Sequence, residues 1–190
     1  MPPLRIVGNW REGYALDYHT VSSIHTHDDE FGRPRFETKR TPLGELLYRL
    51  KYRREDAGAE PLADAAAALV RSWNRGVQVI VPVPPSKARS RQPLALVARA
   101  LGQRLSIPVA NAVYKAQGTP ELKDVNDRIE RLKMLQGAHT VARALVEGKK
   151  VLLLDDLYQS GATMNAVAGA LYAQGGASDV YALALTLARR

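Results

Sequence analysis

The sequence predicts an α/β fold: a mostly parallel sheet with helices on both faces, plus a small N-terminal β-rich extension. Three observations carry that prediction. From Thr41 onward, short apolar runs alternate with segments whose apolar residues recur at helical spacing. The clearest runs, Val79–Val83 and Val151–Leu154, lack the polar alternation of a half-solvated strand, as expected of strands covered on both faces. Finally, 46% hydrophobic against 24% charged residues over a length of 190 supplies a real core and excludes disorder as the default state.

The elements follow in chain order. Residues 1–40 are polar and irregular, with alternation around Tyr14, Leu16, Tyr18 and Thr20 and again near Arg35–Lys39. This pattern predicts a β-hairpin or small sheet turned near Phe31–Pro34, and residues 1–40 are read as a separate extension on a core spanning 41–190. Thr41–Pro42 supplies an N-cap and first turn, followed by a helical stripe of Leu43, Leu46, Leu47 and Leu50. A second helix is expected from about Pro61 to Trp73. Val77–Val83, β-branched and bounded by prolines, reads as a buried strand. Pro93–Leu105 reads as a helix and Val109–Tyr114 as a short strand. Residues 115–136 are strongly charged, and a weakly signalled strand falls at Ala138–Val141. Val151–Leu154 is the clearest strand. Ala162–Ala173 is helical, Gly175-Gly176 stops it, and Val180–Leu187 is the last strand. Crossovers between parallel strands should be right-handed.

Composition narrows the function. The absence of cysteine excludes disulfides, thiolate zinc sites, Fe–S clusters and a Cys nucleophile. No apolar run reaches the ~18–20 residues that cross a bilayer, and the start carries no basic-then-apolar signal. The expectation is a cytoplasmic globular domain with no membrane partner. Lys plus Arg number 27 against 19 Asp plus Glu, a net charge of +8, which favours a polyanionic partner: nucleic acid or a phosphorylated small molecule. His25 and His27, with His19 and Asp28–Glu30 nearby, have the chemistry of a metal site. Nothing in their spacing supplies a third ligand, so a polar hairpin turn is the preferred reading.

The most informative segment is Val151–Thr163, where an apolar strand ends in Asp155-Asp156 and a small-residue turn opens a helix. In open α/β sheets, ligands bind beyond the carboxyl ends of the strands. The turn Gln159–Thr163 presents backbone N–H groups and the Ser160 and Thr163 hydroxyls at a helix N-terminus, a ready phosphate cradle. Gly161 allows close approach of the backbone. The two acids repel a phosphate, so their use is to accept hydrogen bonds from sugar hydroxyls beside it or to help hold Mg²⁺. Neither a GxxxxGK[ST] loop nor a GxGxxG fingerprint occurs, which removes the P-loop and Rossmann readings.

Apolar run, acid pair, Ser-Gly and Ala-Thr fall at the spacing of the phosphoribosyl-diphosphate (PRPP) motif, and the segment resembles that of type I phosphoribosyltransferases. The resemblance implies a type I phosphoribosyltransferase fold. It places Asp155 and Asp156 on the ribose 2′- and 3′-hydroxyls, and Gln159, Ser160, Gly161, Ala162 and Thr163 around the 5′-phosphate. It also implies a pyrophosphate loop after the first core strand. There Val79–Val83 runs into a proline-rich basic loop with Ser86, Lys87, Arg89 and Arg91, whose prolines favour a cis or strained peptide. A mobile loop is implied within 115–136, with Arg128, Arg131 and Lys133 as diphosphate contacts. The variable hood of that family corresponds to residues 1–40.

Over roughly residues 42–187 the runs VPVPPSK, LKDVNDRIERLKMLQGAH and LLLDDLYQSGAT resemble the ComF-type branch. The chain lacks the cysteine-rich zinc ribbon of competence-associated members and keeps only Gln92 of their Arg-Gly-Phe-Asn-Gln stretch. The activity implied is transfer of a 5-phosphoribosyl group from PRPP to a nitrogen of an unidentified base or amine, releasing pyrophosphate with Mg²⁺. No catalytic acid or base is identified. The alternatives are a non-catalytic PRPP- or nucleotide-sensing module and a nucleic-acid-associated accessory protein. Apolar sheet edges leave room for a homodimer, as in many members of the family.

Overall fold

The computed structural model describes residues 2–85, 91–115 and 138–189. At its centre β5 (Val79–Pro82), β8 (Lys150–Tyr158), β9 (Asp179–Leu187) and β2 (Glu12–Tyr18) lie side by side and parallel. β1 (Leu4–Arg5) finishes the β2 edge antiparallel. Beyond β5, a single parallel bridge from Ile80 to Val109 extends the other edge. The expected α/β class with a mostly parallel sheet is therefore what the chain adopts.

Residue alternation along the strands divides the core into two layers. Val151 and Leu153 of β8 pack with Val79, Val81, Val180 and Ala182 under helix α4 (Ala162–Ala173), which adds Met164, Val167 and Leu171. Leu152 and Leu154 point the opposite way, with Ile80, Leu183 and Leu185. They meet α1 (Pro42–Tyr48), α2 (Ala59–Trp73) and α3 (Pro93–Leu105) through side chains such as Leu47, Leu62, Ala66 and Leu101. Each fully buried leucine contributes about 1.5–3 kcal/mol of apolar burial. The two layers explain why the runs Val151–Leu154 of β8 and Val180–Leu185 of β9 are apolar at every position rather than at alternate ones.

The N-terminal part differs from the expectation in its pairing. β2 is a strand, as the alternation around Tyr14 to Tyr18 requires, but it lies in the central sheet between β1 and β9 rather than pairing with the Arg35–Lys39 segment. Ala15, on this strand, is fully buried in the core. The separate hairpin is formed by β3 (Thr20–Asp28) and β4 (Pro34–Arg40), turned at Asp29–Arg33. The predicted strand Val109–Tyr114 is also divided. Val109 bridges to Ile80, while β6 (Val113–Lys115) leaves the main sheet to pair antiparallel with β7 (His139–Val141). Within the described residues no peptide bond is cis, including those before Pro82, Pro84 and Pro85.

Thr41 joins the central sheet to the helical layer. Its hydroxyl accepts from the Gly44 N–H at 3.1 Å and donates to the Tyr18 carbonyl at 2.6 Å, so the α1 cap is tied to the end of β2. An N-cap of this kind contributes about 1 kcal/mol. After α1 the chain widens into a single π-helical turn, Arg49–Arg53, and stops at Arg54 in the left-handed conformation (φ 59°). Such turns recur at functional sites. This one carries Lys51 toward the carboxyl end of the sheet.

Candidate active site

The carboxyl ends of the parallel strands are where an open α/β sheet receives a ligand. β8 does not end at Leu154 as expected. Its ladder with β9 continues through Asp155↔Ala184, Leu157↔Thr186 and Tyr158↔Leu187, because β9 is long enough to satisfy it. The strand alternation therefore sends the two carboxylates in different directions. Asp155 lines a small cavity of about 140 Å³ together with Leu157, Tyr158 and the turn Gln159–Met164. Asp156 turns toward the α1 layer, where its Oδ2 meets Lys51 Nζ at 2.7 Å.

The turn after β8 is built for close backbone approach. Gly161 sits at the N-cap of α4 with φ +75°, and no side chain caps the helix. The first turn's N–H groups have no intrahelical acceptor, which leaves them available to an anion. Ser160 Oγ lies 3.4 Å from the Ala162 N–H, a long contact. Asn165 holds the turn from below: its amide donates to the Gly161 carbonyl at 2.9 Å, and its Oδ1 accepts from the Asn9 N–H at 2.7 Å. Tyr158 completes the wall, its hydroxyl donating to the Val7 carbonyl at 3.1 Å. Gln159, Ser160 and Thr163 are exposed at the rim, and Gly161 is buried.

The electrostatics of the acid pair are asymmetric. Burial, and then the neighbouring Asp156 charge, push the Asp155 carboxyl up to about 7. The Asp156 N–H, which donates to Asp155 Oδ1 at 2.8 Å, and Lys51 oppose that shift without cancelling it. A carboxyl raised in the folded state binds more protons there than in the unfolded chain. Its contribution to stability is full below the unfolded value of about 4 and is lost as pH rises through the folded value. Thermal denaturation of wild type and Asp155→Asn across pH 4 to 8.5 should show wild type losing stability relative to the variant as pH rises. A gap that stays constant with pH would contradict the raised value.

Behind Asp156 the structure shows partners that the sequence did not connect with it. Thr186, fully buried, donates its hydroxyl to the Asp156 carbonyl at 3.1 Å. Since that single proton is committed, Thr186 Oγ1 is left to accept from His19 Nδ1 at 3.1 Å. Burial, and then the Arg40 and Lys51 charges, hold the His19 imidazole below its ordinary range. Lys51 and His19 lie more than a hundred residues from Asp156 along the chain, and Thr186 lies on the next strand in sequence, so no spacing rule links them to Asp156. Only the leucine stripe ending at Leu50, and the charge next to it, hinted at the first.

Other residues singled out in the sequence are placed as follows. Arg91 pairs with Asp56 and donates to the Leu50 carbonyl at 2.8 Å, at the base of the turn that carries Lys51. Ser86, Lys87 and Arg89, and likewise Arg128, Arg131 and Lys133, lie outside the described residues. His25 pairs with Asp28 at 2.8 Å on the exposed hairpin. Among the described residues no three His, Asp or Glu side chains gather in a metal-binding group. No described helix is long and apolar enough to cross a membrane. A larger hollow of about 460 Å³ lies between α3 and the Val109 segment, lined by Pro82, Arg99 and Asn111 among others, and contains neither acid.

A parallel sheet with polar side chains and a helix N-terminus gathered at its carboxyl edge defines the class: an α/β protein of the kind that binds ligands beyond its strand ends. Within that class the chain belongs to the phosphoribosyl transferase domain family, whose model matches residues 50–188. Among curated proteins, none matches the chain significantly.

Solved structures share the fold at low identity. The glutamine PRPP amidotransferase of B. subtilis is 16% identical with a TM-score of 0.53, over 82% of this chain and 34% of its own. An adenine phosphoribosyltransferase is 14% identical with a TM-score of 0.51, over 90% of this chain and 86% of its own. The adenine phosphoribosyltransferase of Trypanosoma brucei, solved with AMP, pyrophosphate and ribose-5-phosphate, is 11% identical with a TM-score of 0.52, over 99% and 86%. The chain thus spans about a third of the amidotransferase and most of the adenine enzymes.

Proposed function

We propose that this chain binds PRPP at the tip of β8 and transfers its 5-phosphoribosyl group to a nitrogen nucleophile, releasing pyrophosphate. One observation supports this reading above the rest: Asp155 and the Gln159–Met164 turn line one cavity, so a sugar-hydroxyl acceptor and a phosphate cradle share a wall. The family match and the adenine phosphoribosyltransferases that share the fold agree with that chemistry. The residue runs named above resemble the ComF-type branch, and this reading assigns the chain to it.

In this reading the Gly161 turn and the α4 N-terminus bind the 5′-phosphate, and Asp155 and Asp156 accept from the ribose 2′- and 3′-hydroxyls. Ser86, Lys87 and Arg89 receive the diphosphate, as do Arg128, Arg131 and Lys133. Either strand-tip carboxylate, Asp155 or Asp156, suits Mg²⁺ arriving on substrate phosphates, which typically uses one or two protein carboxylates. Bound there, Mg²⁺ would neutralise charge on the diphosphate leaving group. The chain's own work is positional. It anchors the sugar at both ends, fixes the C1–O bond relative to the acceptor, and needs no protein nucleophile.

Isotope-labelled PRPP incubated with Mg²⁺ and a panel of bases and amines tests the proposal. The expected result is a labelled ribosylated product with stoichiometric pyrophosphate. Tight PRPP binding without turnover across the panel would favour a sensing module instead. No PRPP binding at all would remove the reading.

A further inference from the structure

Among the described residues, Lys51 is the cation that pairs with the acid pair. Its ammonium meets Asp156 at 2.7 Å, and the two side chains are 21% and 25% exposed, so the pair stands at the mouth of the site rather than in the core. The residue lies in the middle of the π-helical turn, a geometry that recurs at functional sites. The carbonyl of the preceding residue, Leu50, accepts from Arg91, just ahead of α3. Lys51 is therefore placed between the tip of β8 and the start of α3.

A ribosyl diphosphate seated by its 5′-phosphate at Gly161 and by its diol at the acids has one strongly charged group left to place, the diphosphate on C1. A lysine has three donors, and Asp156 takes one of them. We infer that Lys51 is a further substrate-binding residue that donates to the diphosphate while it holds Asp156 for the sugar hydroxyl. This rests on the reading given under Proposed function. Chemically, Lys51 also lets two adjacent carboxylates stand beside a polyanion, since its charge offsets that of Asp156.

Calorimetry on the full chain separates this role from a purely structural one. The probes are PRPP with Mg²⁺, inorganic pyrophosphate with Mg²⁺, and ribose 5-phosphate. Lys51→Met should weaken PRPP and pyrophosphate about tenfold or more while changing ribose 5-phosphate less than about threefold. Lys51→Gln, which keeps a donor, serves if the first variant does not fold, and should show the same ranking. Equal losses for PRPP and ribose 5-phosphate would overturn the inference, because Lys51 would then act only by arranging Asp156. Unchanged PRPP affinity would overturn it as well. If wild type binds neither PRPP nor ribose 5-phosphate, the underlying reading falls and this inference with it. Binding by wild type with no selective loss in the variants removes the Lys51 role alone.

Discussion

Replacing Asp155 and Asp156 together by Asn is expected to weaken PRPP binding by about 1–3 kcal/mol, the range for hydrogen bonds to a charged acceptor and its loss. That corresponds to roughly one to two orders of magnitude in Kd. The two positions contribute differently. Asp155, its carboxyl near 7, carries only part of a formal charge at neutral pH, so Asn removes less charge there than at Asp156. Asp156→Asn removes a charge-assisted partner of the sugar and also leaves the Lys51 ammonium without its carboxylate. The single Asp156 variant should therefore account for most of the loss in the double variant. Titration calorimetry with PRPP and Mg²⁺ reads the result. Unchanged affinity in the double variant would place the sugar elsewhere.

Gly161→Ala is expected to damage both stability and phosphate binding. At φ +75° a Cβ costs about 1–2 kcal/mol in the left-handed region. An added Cβ would also crowd the Tyr158 ring, so that ring must swing away. Doing so breaks the 3.1 Å bond from the Tyr158 hydroxyl to the Val7 carbonyl, a further ~1 kcal/mol. The total, about 2–3 kcal/mol, corresponds to a fall in Tm of roughly 4–12 °C for a chain of this size. Because the first-turn N–H groups of α4 move with the turn, ribose 5-phosphate affinity should fall in the same variant. A folded variant with wild-type Tm would show that the turn tolerates a side chain. Wild-type ribose 5-phosphate affinity would show that the phosphate does not rest on that turn.

Much of this protein was legible from residue order because the signals are local. The leucine and valine runs of β8 and β9 are apolar on both faces, which only a sheet covered twice explains, and both cores are present. Thr41-Pro42, Gly161 and Gly175-Gly176 mark a cap, a tight turn and a stop through backbone preferences that a neighbour far along the chain does not alter. The acid pair and the glycine turn are contiguous, so their proximity follows from chain connectivity alone.

What residue order left open is pairing between distant segments. Alternation in β2 announces a strand, but period two is the same whether the partner is the next strand or one more than a hundred and sixty residues away. The ladder with β9 decided that. The same long ladder carries β8 past Asp155 and turns the two carboxylates to opposite faces. Lys51, His19 and Thr186 reach Asp156 only because α1, β2 and β9 converge at one end of the sheet. Local preferences thus determined which elements form and where a phosphate could be cradled. The tertiary hydrogen-bond ladders alone decided which charges and donors surround it, since those contacts exist only once remote strands share an edge.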